Sequence, residues 1–356
     1  MNTVEEIAKR AGVSAATVSR TFRSPEKLSQ DTANRILQIA DQLKYAPKPR
    51  RPRRKTMLAA TEAEPVAVTT IGFLFFAKYS TDIYSSHSFY GEILHGVQDQ
   101  ATALGLDVKF AVVPRYSAPD EMPAMISSGA LSGLLLVGAA PPHVLGFYSS
   151  AAKHIVNVDH IDPAGEHDGV LSDGIGGANM ALEHLWSLGH RRIAYVTPES
   201  EAVTFRERYR GYQLFLLEHG LRLDPELVLT IGADENPQAK ASGLFDGIAP
   251  PTAVFAANDE TASWVLQACH NRSIDVPGQV SIVGFDDVYL AQHVWPPLTS
   301  VHVDIVGLGR EAVVRLYERM CPRVDVPRLA TPANVRLRSH LVERKSTGVV
   351  RAEAKL

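Results

Sequence analysis

Residues Val4–Phe22 read VEEIAKRAGVSAATVSRTF. Val4, Ile7, Ala8 and Ala11 recur at helical spacing, Gly12 is placed to end that helix, and Ser14 to N-cap another. The second helix runs from Ala15 to Arg20, with Val18 inward and small or polar side chains outward. Two short helices about a tight turn make either an ordinary helical hairpin or a helix-turn-helix, whose second helix lies in the major groove of DNA. The flanking sequence favours the second.

Thr3 can cap the first helix, with Glu5 and Glu6 in its first turn, where the helix dipole favours carboxylates. A third helix starts near Ser29 and carries an apolar face of Ile36, Leu37, Ile39, Ala40 and Leu43, before Tyr45-Ala46-Pro47 stops it. Residues 1–47 therefore read as a three-helix domain. Residues 48–65 read as a linker: Lys48-Pro49-Arg50-Arg51-Pro52-Arg53-Arg54-Lys55, in which proline opposes regular helix, and then the bland Thr56–Glu64. Such a basic run is either a solvated tether or an arm on phosphates and the minor groove.

Charge is divided in the same way. Residues 1–55 hold 13 Lys/Arg against 5 Asp/Glu, a net of +8, whereas the remainder holds 23 against 34, a net of −11. A basic front on an acidic body directs a polyanion to the front alone. At 356 residues two or three domains are expected. No stretch reaches membrane-span length, and the polar MNTVEEIAKR is no export signal. Cys269 and Cys321 have no paired spacing, which fits a reducing cytoplasm without disulfide or zinc site.

From residue 66 to about 345, strand-like and helix-like segments alternate: an apolar run at Val68–Ala77, an amphipathic helix at Phe89–Gly105, strands at Leu106–Pro114, Gly133–Gly138 and Ile155–Asp159. The pattern then restarts from Val170–Ser172, with helices at Ala178–Leu188 and Arg206–His219 and strands at Arg192–Thr197, Val228–Ile231, Ala253–Ala256 and Val280–Phe285. This argues two doubly wound parallel-sheet units covered on both faces. Ligands in such folds sit outside the carboxyl ends of strands, where Asp159, Asp173, Asn258, Asp259, Asp286 and Asp287 fall. Arg208, on a helix after a strand, can offer a guanidinium fork to hydroxyls or a carboxylate. Mixed donors and acceptors suit a polyhydroxylated small ligand; for Asp259 and Asp287 helix capping is the other reading.

Enzymatic constellations are missing: no GxSxG elbow, P-loop or HExxH occurs. Gly174-Ile-Gly-Gly opens a helix after a strand but has Asn179 where a dinucleotide fingerprint needs its third glycine, so it reads as helix–strand packing. The histidines, His184 and His190 included, read as capping or core residues. No catalytic residue, metal or cofactor is expected.

The segments VEEIAKRAGVSAATVSR, LSQDT, LKYAP, LEHLWSLGHRRIAYV, RERYRGY, AVFAAND, VSIVGFDD and PPLTSV, in this order and over nearly the whole chain, resemble the lac-repressor (LacI/GalR) family of bacterial transcription regulators. The resemblance implies a cytoplasmic homodimer or tetramer on a pseudo-palindromic operator, with a periplasmic-binding-protein-like effector domain closed or shifted by a small molecule. The tail beyond residue 345, STGVVRAEAKL, lacks an apolar heptad run and favours the dimer. By resemblance Ala15, Ala16 and Arg20 meet base edges, Arg20 being able to grip guanine O6 and N7. Ser14, Thr17, Ser19, Ser29, Thr32 and Tyr45 match phosphate contacts, which set register. Phe89, Tyr90, Asp159, Arg208, Asn258 and Asp286 match effector contacts. The implied effector domain spans 66–345, with lobes of 66–171 plus 302–332 and 172–301 plus 333–345, joined by three crossings. The implied regulator represses a carbohydrate-utilisation operon under a sugar or sugar-derived effector, although the family also has purine-responsive members.

One departure stands out. The family follows its Tyr-x-Pro with Asn and a hinge helix whose leucine enters the minor groove; here Lys48 replaces the Asn and Arg50, Arg51, Arg53 and Arg54 occupy the helix. The expectation is an extended basic arm in the minor groove without a leucine wedge.

Overall fold

In the computed structural model the described residues are 4–21, 32, 35–36, 39–40, 43, 69–77, 89–115, 122–139, 141–162, 164–200, 202–321 and 331–351. The chain divides into two compact units, Met1–Pro65 and Val66–Leu356. In the first, α1 (Val4–Ala11) and α2 (Ala15–Thr21) are separated by Gly12, whose φ of 64° is the left-handed value that a helix stop demands. The Val13 amide closes the stop on the Ala8 carbonyl at 3.0 Å, and Ser14 Oγ caps α2 by accepting from the Thr17 amide at 3.1 Å. Ile7, Ala8, Ala11 and Val18 bury their side chains with Ile36 and Ala40.

The second unit contains two six-stranded sheets. The first has the order β11-β5-β4-β3-β1-β2, built from β1 (Thr69–Ala77), β2 (Leu106–Pro114), β3 (Gly133–Val137), β4 (Ile155–Val158), β5 (Asp168–Ser172) and β11 (Asn334–Leu337), all parallel. The second repeats that order as β12-β10-β9-β8-β6-β7, from β6 (Ile193–Pro198), β7 (Val228–Ile231), β8 (Ala253–Ala256), β9 (Ser281–Asp286), β10 (Thr299–His302) and β12 (His340–Val342), with β12 antiparallel to β10. The fold class is thus an N-terminal helix-turn-helix followed by two doubly wound lobes.

Two-sided burial explains the apolar strand sequences. Ile71, Phe73 and Phe75 of β1 enter the main core, while Leu74 and Phe76 enter a second core on the opposite face. The helices covering the sheets are α3 (Phe89–Leu104), α4 (Ala124–Ser127), α5 (Pro142–Tyr148), α6 (Gly174–Ser187), α7 (Val203–Glu218), α8 (Pro237–Ser242), α9 (Asp259–Asn271), α10 (Tyr289–His293) and α11 (Ile305–Met320). α3 and α11 touch backbone to backbone: a Cβ at Gly96 would overlap the Val306 carbonyl, and one at Gly309 the Ile93 carbonyl. Among the described residues no helix is long and apolar enough to cross a membrane.

Two boundaries differ from the sequence reading. β11 belongs to the first sheet, so the third crossing follows Leu337 rather than residue 332, and β10 through His302 stays in the second. The segment after residue 345 is no simple tail. Ser346 is fully buried, its Oγ accepts from the Thr299 amide at 2.8 Å, and the Val350 amide donates to Leu188 at 2.9 Å. His190 fastens the same stretch, with Nε2 3.1 Å from the Gly348 carbonyl, and His184 Nε2 lies 2.9 Å from Thr347 Oγ1.

Candidate functional site: the interlobe cleft and the helix-turn-helix

Asp159 follows β4 and Asp286 ends β9, so each lobe brings one carboxylate to the carboxyl edge of its sheet. Both adopt left-handed backbone, φ 60° and 96°, a conformation that costs non-glycine residues about 1–3 kcal/mol and is concentrated at functional sites. Arg208, on the second turn of α7, lies between them and is 2% exposed. Its Nη2 donates to Asp286 Oδ1 at 2.7 Å and its Nη1 to the Ala257 carbonyl at 2.5 Å. The guanidinium also stacks 3.8 Å from the Phe285 ring centre. From the other lobe, the Tyr90 hydroxyl at the start of α3 donates to Asp159 Oδ2 at 2.9 Å. Phe89 meets Tyr90 edge-on at 5.3 Å.

These four groups are desolvated together. Burial raises the Asp159 carboxyl to about 6 despite the opposing Arg208 charge, and raises Asp286 above the usual carboxylate range for the same reason. Burial and the adjoining Asp159 also push the Tyr90 phenol well up, so it remains a donor. Two of the polar atoms have no partner among the described residues: Asp159 Oδ1 and Arg208 Nε. Buried atoms without a partner are costly and rare, and this pair asks for one donor and one acceptor from outside the chain.

The other strand-end polar residues divide by role. Asn258 is the N-cap of α9: its Oδ1 accepts from the Thr261 amide at 2.9 Å and from Thr261 Oγ1 at 2.6 Å, leaving its amide nitrogen as the group able to face a ligand. Asp173 is likewise a cap, on Gly176 N at 2.9 Å. Asp259 neither caps nor faces the cleft; it braces the β9–β10 connection by accepting from Ser300 Oγ at 2.5 Å and the Val288 amide at 2.8 Å. Asp287 pairs with Arg344 at 2.7 Å and His302 at 3.1 Å. A pocket of about 180 Å³ touches Asp287, Glu92, Tyr289 and Ile305 but none of the four clustered groups. Trp295 is 84% exposed and Tyr289 stacks on His293, so neither forms a platform over the quartet.

Sequence reading passed over His160, the residue after Asp159. It is 8% exposed, and both ring nitrogens lack a partner among the described residues. Burial lowers its pKa to about 4, which keeps the imidazole neutral. Its adjacency to the strand-end aspartate was the available signal.

In the first unit Ala15, Ala16, Thr17, Ser19 and Arg20 all lie on α2, and Ser14 and Ala15 are exposed. Ser14 Oγ is already engaged as the cap and lies 2.9 Å from Thr17 Oγ1. Thr32 is helical and half-buried. Ser29, Tyr45, Arg50, Arg51, Arg53 and Arg54 lie outside the described residues.

A helix-turn-helix joined to a two-lobed, periplasmic-binding-protein-like body defines a DNA-binding transcriptional regulator with an effector domain. Residues 3–48 match the profile described as bacterial regulatory proteins, lacI family, and residues 182–347 the periplasmic binding protein-like domain. The HTH-type transcriptional regulator DegA of Bacillus subtilis (strain 168) is 28% identical over 87% of this chain and 88% of its own length. The HTH-type transcriptional repressor CytR of Escherichia coli (strain K12) is 29% identical over 89% of each. Among solved structures, the transcriptional regulator CelR–cellobiose complex superposes with a TM-score of 0.67 at 26% identity, over 97% of this chain and 100% of that one. This chain belongs to the LacI family of bacterial regulatory proteins, a family of regulators and not of enzymes.

Proposed function

We propose that this regulator is a repressor of a carbohydrate-utilisation operon. It acts in the cytoplasm as a homodimer, and a small sugar or sugar-derived effector binds between its lobes. The observation that carries this reading is the cluster of half-buried Tyr90 with buried Asp159, Arg208 and Asp286, drawn from both lobes and holding an unpartnered acceptor beside an unpartnered donor. A hydroxyl both gives and accepts a hydrogen bond, so one or two sugar hydroxyls satisfy both atoms. Phe89 and the amide nitrogen of Asn258 complete the proposed contacts. Because the groups come from two lobes, a ligand bridging them favours the closed arrangement and biases an equilibrium that the DNA-binding unit can read. The cellobiose in the similar CelR complex agrees with a sugar in this cleft.

On DNA, α2 enters the major groove, with Arg20 as the polar reader of base edges and Ala15 and Ala16 against thymine methyls. Ser14, Thr17, Ser19, Ser29, Thr32 and Tyr45 hold phosphates, and Arg50, Arg51, Arg53 and Arg54 follow the minor groove. A thermal-shift screen of the full-length protein against sugars, sugar acids, sugar phosphates and purines tests the effector. Saturation at 100 times Kd stabilises by about 2.7 kcal/mol. A sugar that shifts melting and also changes the affinity for the operator is expected; a response to purines alone overturns the sugar reading.

A further inference from the structure

Among the described residues, His160 is a buried group adjoining the cleft cluster in sequence that no role described so far employs. It follows Asp159 directly after β4, it is 8% exposed, and neither Nδ1 nor Nε2 meets a partner among the described residues. Its backbone carbonyl lies close to Gly169 of β5, where an added Cβ would come within 3.1 Å of it. The charges acting on its ring come from both lobes: Arg115, after β2, and Arg206, on the first turn of α7, both disfavour protonation, and only Asp162 opposes them. The ring is therefore neutral, with one donor and one acceptor nitrogen.

We propose that His160 is a specificity-determining contact for the effector, one ring nitrogen donating to and the other accepting from hydroxyls of an uncharged, polyhydroxylated ligand. This rests on the reading of the cleft as the effector site. Together, Asp159 Oδ1, Arg208 Nε and the two His160 nitrogens require two donors and two acceptors from the ligand. Neighbouring hydroxyls provide them. A carboxylate or phosphate provides acceptors only, leaves the acceptor nitrogen of His160 bare, and meets the Asp159 carboxylate with like charge. A site built to hydrogen-bond a hydroxyl rejects analogues that leave its buried groups unpaired.

Isothermal titration and thermal shift of full-length protein with D-glucose, D-ribose, cellobiose, D-gluconate, glucose 6-phosphate and adenosine, run on wild type, His160→Leu, His160→Gln and Arg208→Ala, test the assignment. A neutral sugar is expected to bind wild type best. His160→Leu should weaken it at least tenfold, and His160→Gln, which keeps a donor and an acceptor, should restore it to within about threefold. Without ligand, His160→Leu should melt no lower than wild type, since it removes two unpaired buried nitrogens; a purely structural histidine would show the opposite. Unchanged sugar affinity in His160→Leu alongside its loss in Arg208→Ala overturns the role of His160 and leaves the cleft reading intact. Tightest binding of an anionic probe overturns the ligand class, and binding of none of the probes overturns the cleft reading and this assignment with it.

Discussion

Arg208 is the buried cation of the cleft, set against Asp286 and beside Asp159. Arg208→Ala leaves Asp286 buried without its partner, and a loss of about 3–5 kcal/mol in urea unfolding is expected. Replacing both, Arg208→Met with Asp286→Asn, which tolerates the left-handed backbone at that position, should recover part of that stability while leaving no ligand response. Equal losses in the single and double variants would contradict this account. Asp159 makes a pH prediction. Its folded pKa of about 6 exceeds the ordinary 3.8, so between those values the folded state holds a proton that the unfolded state has released. Stability from this group is present below about pH 4 and is lost as pH rises through 6, by on the order of 3 kcal/mol. Asp286 and Asp259 are raised as well, so the wild-type profile is a composite. The difference between Asp159→Asn and wild type isolates one group: the variant should be the more stable at pH 7.5 and gain less on going to pH 5. Parallel profiles would refute the assignment.

At the scale of elements, close helix approach predicts where a single methyl is harmful. Gly309→Ala in α11 or Gly96→Ala in α3 drives a Cβ into backbone that cannot swing aside, and each should cost about 1–3 kcal/mol. Gly146→Ala in α5, where a Cβ meets nothing, should gain a few tenths to about 1 kcal/mol. Thermal melts of the three variants separate packing from propensity. The same elements show what sequence can reveal. Strands buried on both faces print themselves as contiguous apolar runs, and β1, β3 and β8 were readable on that account. Helix ends read less well: α6 and α7 begin at Gly174 and Val203, ahead of Ala178 and Arg206, because the first opens on glycines and the second on the β-branched and aromatic Val203-Thr204-Phe205, both weak helix formers. The stretch NVRLRSHLV alternates like one edge strand, yet β11 and β12 lie in different sheets, since alternation carries no information about which edge a strand joins. In the site, Asp159 and Asp286 were legible as polar residues at strand ends, and Arg208 as a guanidinium on the helix after a strand. The capping role of Asn258 was not, because an amide that caps a helix and one that holds a ligand occupy the same place in sequence.

At the scale of the whole molecule, the proposed reading assigns DNA to the basic arm and the small ligand to the acidic body. If alanine fills two of the three proposed reading positions, phosphate neutralisation is expected to carry much of the operator affinity. Alanine at Arg50, Arg51, Arg53 and Arg54 together should weaken operator binding and reduce the slope of log K against log salt by up to about 3–4. Fluorescence anisotropy over a range of salt concentrations checks this, and an unchanged slope would refute the arm. The lobes are held to each other by more than the cleft: Arg336 of β11 pairs with the buried Glu207 of α7, an ion pair from one lobe to the other on the strand just ahead of the last crossing.

That crossing also sets the order in which the molecule can be completed. The first sheet ends with β11 and the second with β12, strands three residues apart near the end of the chain. During synthesis neither lobe can close early and wait for the other, so both finish almost together, and a polypeptide cut short should not leave one sound half behind. A chain ending at Pro332 is expected to be digested in both lobes at the same protease concentration. Survival of one intact lobe would show that the edge strands are dispensable.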